Sequence, residues 1–130
     1  MMNTQAEVIS IGNDAIDDQE PMVILFDEHA TTAIQNVALI QHFMDEAAKK
    51  QLTLTTDSAV IINQQPYTIT YVGALVNPNL NSIGHVALVF GPAPQEDQLQ
   101  SGLYLTPAAA GVPAVPEFKV GTQITYQETM

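Results

Sequence analysis

Three histidines, His29, His42 and His85, are the side chains of this chain best suited to covalent chemistry. Cysteine is absent, and no serine stands in a nucleophile motif. An imidazole can form a covalent intermediate with a phosphoryl group and hand it on, because the P–N bond is labile. Such a relay needs one unprotonated ring nitrogen facing the donor. The proton on the other nitrogen must be held by an acceptor, which fixes the tautomer. The three phosphoryl oxygens need hydrogen-bond donors, since positioning and electrostatics do most of the work in phosphoryl transfer. Arginine is absent, so those donors must be backbone N–H groups at turns, hydroxyls, a second imidazole, or Lys49 and Lys50.

The three histidines have different settings. His42 ends an amphipathic stretch, and the local sequence taken alone favours the ordinary alternative, a solvated histidine with no role. His85 follows Gly84 at the mouth of the apolar run Val86–Phe90. Glycine there allows a close approach of backbone or ligand, so His85 fits a pocket rim as well as it fits a packed turn. His29 lies in Asp27-Glu28-His29 with no motif around it, and a surface position is expected. No H-x-H, H-x-x-E-H or H-E-x-x-H spacing occurs, so no metal site is expected. The acidic loop with Asp14, Asp17, Asp18 and Glu20 lacks the order and the glycine of a calcium loop. No glycine-rich nucleotide loop is present, so ATP is not the implied phosphate donor, and no cofactor is expected.

The elements that must position these residues are mostly strands. Thr4–Ile11 alternates weakly, and Met22–Asp27 is an apolar strand opened by Pro21. Thr31–Lys50 is ambiguous, because Val37, Ile40, Met44 and Ala47 keep helical spacing while Val37–Phe43 also suits a strand. The expectation is a strand to about His42, then a helical turn from Asp45 to Lys50. Leu52–Ile62 is strand material broken by Asp57 and Ser58, and Gln64, Gln65 and Pro66 form a turn. Tyr67–Val72 and Val86–Phe90 are strands, joined by a loop rich in Asn and Pro at Asn77–Ser82. Leu103–Leu105 and Gly121–Tyr126 complete the strands. Thr106–Pro116 holds three prolines beyond its first residue and cannot be a regular central strand or helix. Many short strands with few helices predict a small, mainly β, partly open barrel with at most one or two short helices.

Composition excludes several functions. With 130 residues the chain is expected to form one domain, residues 1–130, large enough for a real core. Fourteen acidic residues face three lysines, for a net charge of −11. Nucleic acid, which needs clustered cations, is excluded, and anionic membrane surfaces would be repelled. A basic protein partner would be attracted in a salt-dependent way. No apolar run approaches the ~20 residues of a membrane helix, and the N-terminus lacks a secretory pattern, so a cytoplasmic location is expected.

The stretch Tyr67–Gly91 resembles the signature of the glucitol/sorbitol-specific enzyme IIA components of the phosphoenolpyruvate-dependent sugar phosphotransferase system. The residues that carry this are Val72, Gly73, Asn79, Leu80, Gly84, His85, Val86, Leu88 and Phe90. Ile11, Gly12, Ala15–Asp17 and Met22–Phe26 resemble the opening of that family. Ile40–His42 falls where the family has apolar residues before its phosphorylated histidine, with Gln41 as a departure. The resemblance implies a partly open barrel and a relay. Phosphorylated HPr would pass its phosphoryl group to His42, with His85 in support. His42 would pass it to the cognate IIB and IIC sugar permease components for uptake of sorbitol. The rival reading is a regulatory or binding module on the same barrel, without the chemistry.

Overall fold

The computed structural model describes residues 3–17 and 19–128, which leaves Asp18 of the acidic loop outside the described residues. Eight strands form a closed barrel: β1 (Asn3–Ile11), β2 (Met22–Phe26), β3 (Leu39–Phe43), β4 (Ala59–Ile62), β5 (Gln65–Val72), β6 (Val86–Phe90), β7 (Gly102–Pro107) and β8 (Gln123–Gln127). Around the barrel the order is β1-β3-β2-β6-β7-β5-β4-β8. The β2/β3 and β6/β7 pairs are parallel, and the other pairs are antiparallel.

The mainly β barrel expected from the sequence is present. It closes fully, where a partly open one was expected, because β8 pairs with β1 on one side and with β4 on the other. Alternating side chains fill the interior. Val23 and Leu25 of β2, Leu39 and Phe43 of β3, and Leu88 of β6 belong to one buried cluster with Tyr67 and Tyr126.

Three short helices are described where one or two were expected: α1 (Thr32–Val37), α2 (Glu46–Gln51) and α3 (Val76–Ile83). The α2 helix and the strand ending near His42 match the expectation. Asp45 caps α2 by accepting from the N–H groups of Ala47 and Ala48, and Lys49 and Lys50 sit in its last turn. The α1 helix was not foreseen; it is one and a half turns long, has no buried residue and forms part of the β2–β3 crossover.

The largest departure is α3, which occupies the stretch expected to be an Asn/Pro loop. Pro78 is its third residue, where a missing N–H breaks no intrahelical bond. Two of its asparagines, Asn77 and Asn81, bond another segment, not their own turn. Asn77 exchanges hydrogen bonds with both backbone groups of Leu54, and Asn81 Nδ2 donates to the carbonyls of Lys49 and Leu52. Leu52 and Leu54 are thereby held in an extended connection, so only Ala59–Ile62 of that stretch becomes a strand. Gly84, at φ 60°, ends α3 in the left-handed conformation.

Gln41 explains its own presence. It is fully buried, and its Nε2 donates to the Gly84 carbonyl at 2.9 Å. Its Oε1 accepts from the Tyr126 hydroxyl at 2.7 Å. Burial pushes the Tyr126 hydroxyl above the ordinary phenol range, against a smaller downward pull from Gln41. Burial raises Tyr67 as well. A phenol raised in the folded state contributes stability that is whole below the unfolded value of about 10 and is lost as pH rises through the folded value. The thermal midpoint should therefore fall as pH climbs past about 10, and Tyr126→Phe should lessen that fall. At neutral pH the same variant should lose about 1 kcal/mol, because Gln41 Oε1 loses its donor. Thermal unfolding followed by circular dichroism across pH tests both; an unchanged alkaline slope in the variant would refute the first.

Candidate functional site

The site grows from the end of β2. Along β3 the side chains alternate, so Leu39, Gln41 and Phe43 face the core while His42 faces out, its side chain 49% exposed. The parallel register sets Leu25 against Leu39 and Phe26 against Ile40. Beyond Phe26 the chain turns, and the Asp27 carboxylate oxygen Oδ1 accepts from the His29 N–H at 3.0 Å. That turn brings Glu28 beside His42, and Glu28 Oε2 accepts from the ring at Nδ1. The other oxygen, Oε1, is buried without a partner among the described residues. A carboxylate so placed holds the proton on Nδ1 and leaves Nε2 with its lone pair outward.

Asp27 anchors this turn. It is buried, and its Oδ2 lies 3.1 Å from Lys49 Nζ, itself buried. Glu46, half exposed, holds the same ammonium at 3.0 Å. Burial pulls the Lys49 ammonium down, but the bonds to Glu46 and Asp27 outweigh it and raise it above its ordinary value. Asp27 also donates its backbone N–H to Ile83 O at 3.1 Å. A side chain at Gly84 would meet Asp27 Cβ at 2.7 Å, so glycine is required at this contact.

His85 stands on the other side of β2. It stacks on Phe26, with ring centroids 4.1 Å apart at 18°. Its Nδ1 lies 3.0 Å from the Leu25 carbonyl. A carbonyl only accepts, so Nδ1 carries the proton and a neutral His85 presents a lone pair at Nε2. Only its imidazolium form can donate from Nε2 to a phosphoryl oxygen. His42 and His85 thus flank the end of one strand, and no hydrogen bond joins them among the described residues.

His29 is on the surface, 76% exposed, as its context suggested. Lys49, a candidate donor to a phosphate, is committed inward to Asp27 and Glu46; Lys50 is exposed. Asp27, Glu28 and His29 place three ligand atoms within 4.8 Å of one another. Each already has a part: Asp27 holds Lys49, Glu28 holds His42, and the His29 N–H closes the turn. Sequence reasoning missed Glu28 and Asp27. The signal would have been the β2–β3 crossover, which alone sets residue 28 beside residue 42.

The family model for the glucitol/sorbitol-specific IIA component of the phosphotransferase system matches residues 3–125. The chain belongs to that family. A crystal structure titled as a phosphotransferase system IIA component from Enterococcus faecalis V583 is 42% identical. The match covers 95% of this chain and 98% of that one, with a TM-score of 0.82. No curated protein matches significantly. This IIA component is therefore a phosphotransferase subunit that relays phosphoryl groups from HPr to IIB. Among the described residues no helix is long and apolar enough to cross a membrane.

Removing one member of a buried ion pair strands the other. Lys49→Met should destabilise the protein by about 3–5 kcal/mol, because Asp27 keeps a buried, uncompensated charge. Lys49→Met combined with Asp27→Asn should recover a large part of that loss. Urea denaturation compares them; equal losses in the single and double variants would mean the pair is not the cause.

Proposed function

We propose that His42 is the residue that carries the phosphoryl group. The observation that supports this most is the Glu28 carboxylate on Nδ1 of an outward-facing, half-exposed imidazole, which leaves Nε2 as the nucleophile. The Nε2 lone pair attacks phosphorus as the P–N bond of phosphorylated HPr breaks. The departing HPr nitrogen keeps the electron pair of that bond. His42 retains its Nδ1 proton, so the phosphorylated ring bears a positive charge that Glu28 offsets. In transfer to IIB, a nucleophile of IIB bonds to phosphorus as the Nε2–P bond breaks; Nε2 keeps the electron pair of that bond and the ring returns to its neutral state.

His85 plays the supporting part, stacked on Phe26 and presenting Nε2. The relay runs in the cytoplasm from HPr to the IIB and IIC components that import and phosphorylate sorbitol, and residues 1–130 act as one domain without a bound cofactor. Opposed charge favours the encounters, since this chain carries −11 and gains most from basic partner faces.

Intact mass after incubation with phosphoenolpyruvate, enzyme I and HPr tests the assignment. One acid-labile adduct is expected on the wild type and none on His42→Ala. An adduct that persists on His42→Ala would move the site to His85 or His29, and no adduct on either protein would favour the binding-module reading. A charge-assisted hydrogen bond is worth about 1.5–3 kcal/mol, so Glu28→Gln should slow phosphorylation roughly 10- to 100-fold while the fold survives. Rapid-quench kinetics measures that rate, and a wild-type rate in the variant would remove Glu28 from the mechanism.

A further inference from the structure

Two sequence features have no part in the relay: the acidic loop Gly12–Glu20 and the proline-rich segment Thr106–Pro116. They meet. Residues 16, 17, 19–23 and 115–118 line a groove of about 350 Å³ at the Met22 end of β2. The end bearing Glu28 lies the length of the strand away, about 13 Å at 3.3 Å per residue.

The groove has an apolar lining and an acidic rim. Val23 and Phe118 form a buried floor. Ile16 and Val115 both line the groove with large exposed apolar side chains, 45% and 44% exposed. Exposed apolar side chains gathered in a concavity mark a surface that a partner can cover. Asp17, Glu20 and Glu117 add carboxylates, and among the described residues no lining residue is basic. The nearby cation Lys119 reaches Glu117 at 3.4 Å with both side chains more than 70% exposed, so that pair is weak and exchangeable.

We infer that this groove docks a cationic protein segment that inserts one apolar side chain between Ile16 and Val115. The carboxylates and the net charge of −11 repel anionic lipid and nucleic acid and attract lysine and arginine. The apolar walls require more than charge from the occupant. Since the groove and His42 lie at opposite ends of β2, an occupant leaves His42 open. Resting on the function proposed above, such a segment matches the lysine- and arginine-rich stretches that flank membrane helices on their cytoplasmic side. Docking there would keep this component beside its permease between phosphoryl transfers.

The test titrates the full-length ¹⁵N-labelled protein with a short peptide alternating lysine and leucine, followed by amide chemical shifts. Shifts confined to residues 16–23 and 115–118 are expected. A lysine–serine peptide should bind markedly more weakly, and Glu20→Gln with Glu117→Gln should weaken the leucine peptide about ten-fold. Phosphorylation of the double variant by HPr should match the wild type, whichever histidine accepts, so the outcome does not depend on the assignment of His42. Shifts spread over the acidic surface or centred on residues 28–42 would overturn the inference, as would equal binding of the two peptides, undiminished binding by the variant, or no binding. Anionic lipid vesicles that produce the same confined shifts would overturn it in favour of a membrane surface.

Discussion

The site depends on one buried ion pair, Lys49 with Asp27. Taking two charges out of water costs several kcal/mol each, and their attraction repays this only when the remaining polar atoms are also satisfied. Here they are: Oδ1 of Asp27 has the His29 N–H, Oδ2 has the ammonium, and the ammonium has Glu46 as well. The pair joins three pieces of chain that are distant in sequence. Asp27 sets the turn that presents Glu28, Lys49 belongs to α2 just after the His42 strand, and Gly84 against Asp27 fixes the start of the strand behind His85. Both His42 and His85 thus take their places from one residue, Asp27, whose side chain bonds neither of them.

Most of the barrel could be read from the sequence, because strands such as Met22–Phe26 and Val86–Phe90 are dense in β-branched and apolar residues and short enough to exclude other readings. The loop reading of Asn77–Ser82 failed for a physical reason. Asn and Pro mark turns when their side chains serve local backbone, whereas Asn77 and Asn81 serve Leu54, Lys49 and Leu52, a partnership that no local pattern reveals. The α1 helix escaped because it buries nothing and so leaves no periodic stripe. At the site, the histidines stood out by residue type, but Glu28 did not. Its place beside His42 comes from a parallel pairing across a crossover, which is a property of topology and not of spacing.

Lack of arginine shapes the chemistry. On the proposal that His42 carries the phosphoryl group, the incoming group meets no guanidinium of this chain, and buried Lys49 is already neutralised by two carboxylates. Glu28 controls the tautomer of His42, and the His85 ring stands across the end of β2, stacked on Phe26.

The seam that closes the barrel is formed by its first and last strands, with Asn3 opposite Gln127. A ribosome releases β1 before β8, so β1 waits for one of its two neighbours until β8 has been made. Its open edge is a template for the wrong strand during that interval. Joining residues so far apart in sequence also makes closure a slow, non-local event, since the loop entropy must be lost before the pairing compensates for it. The nascent chain is therefore most exposed to mispairing while β8 is still being made, and the finished barrel, with every strand paired on both sides, no longer carries that hazard.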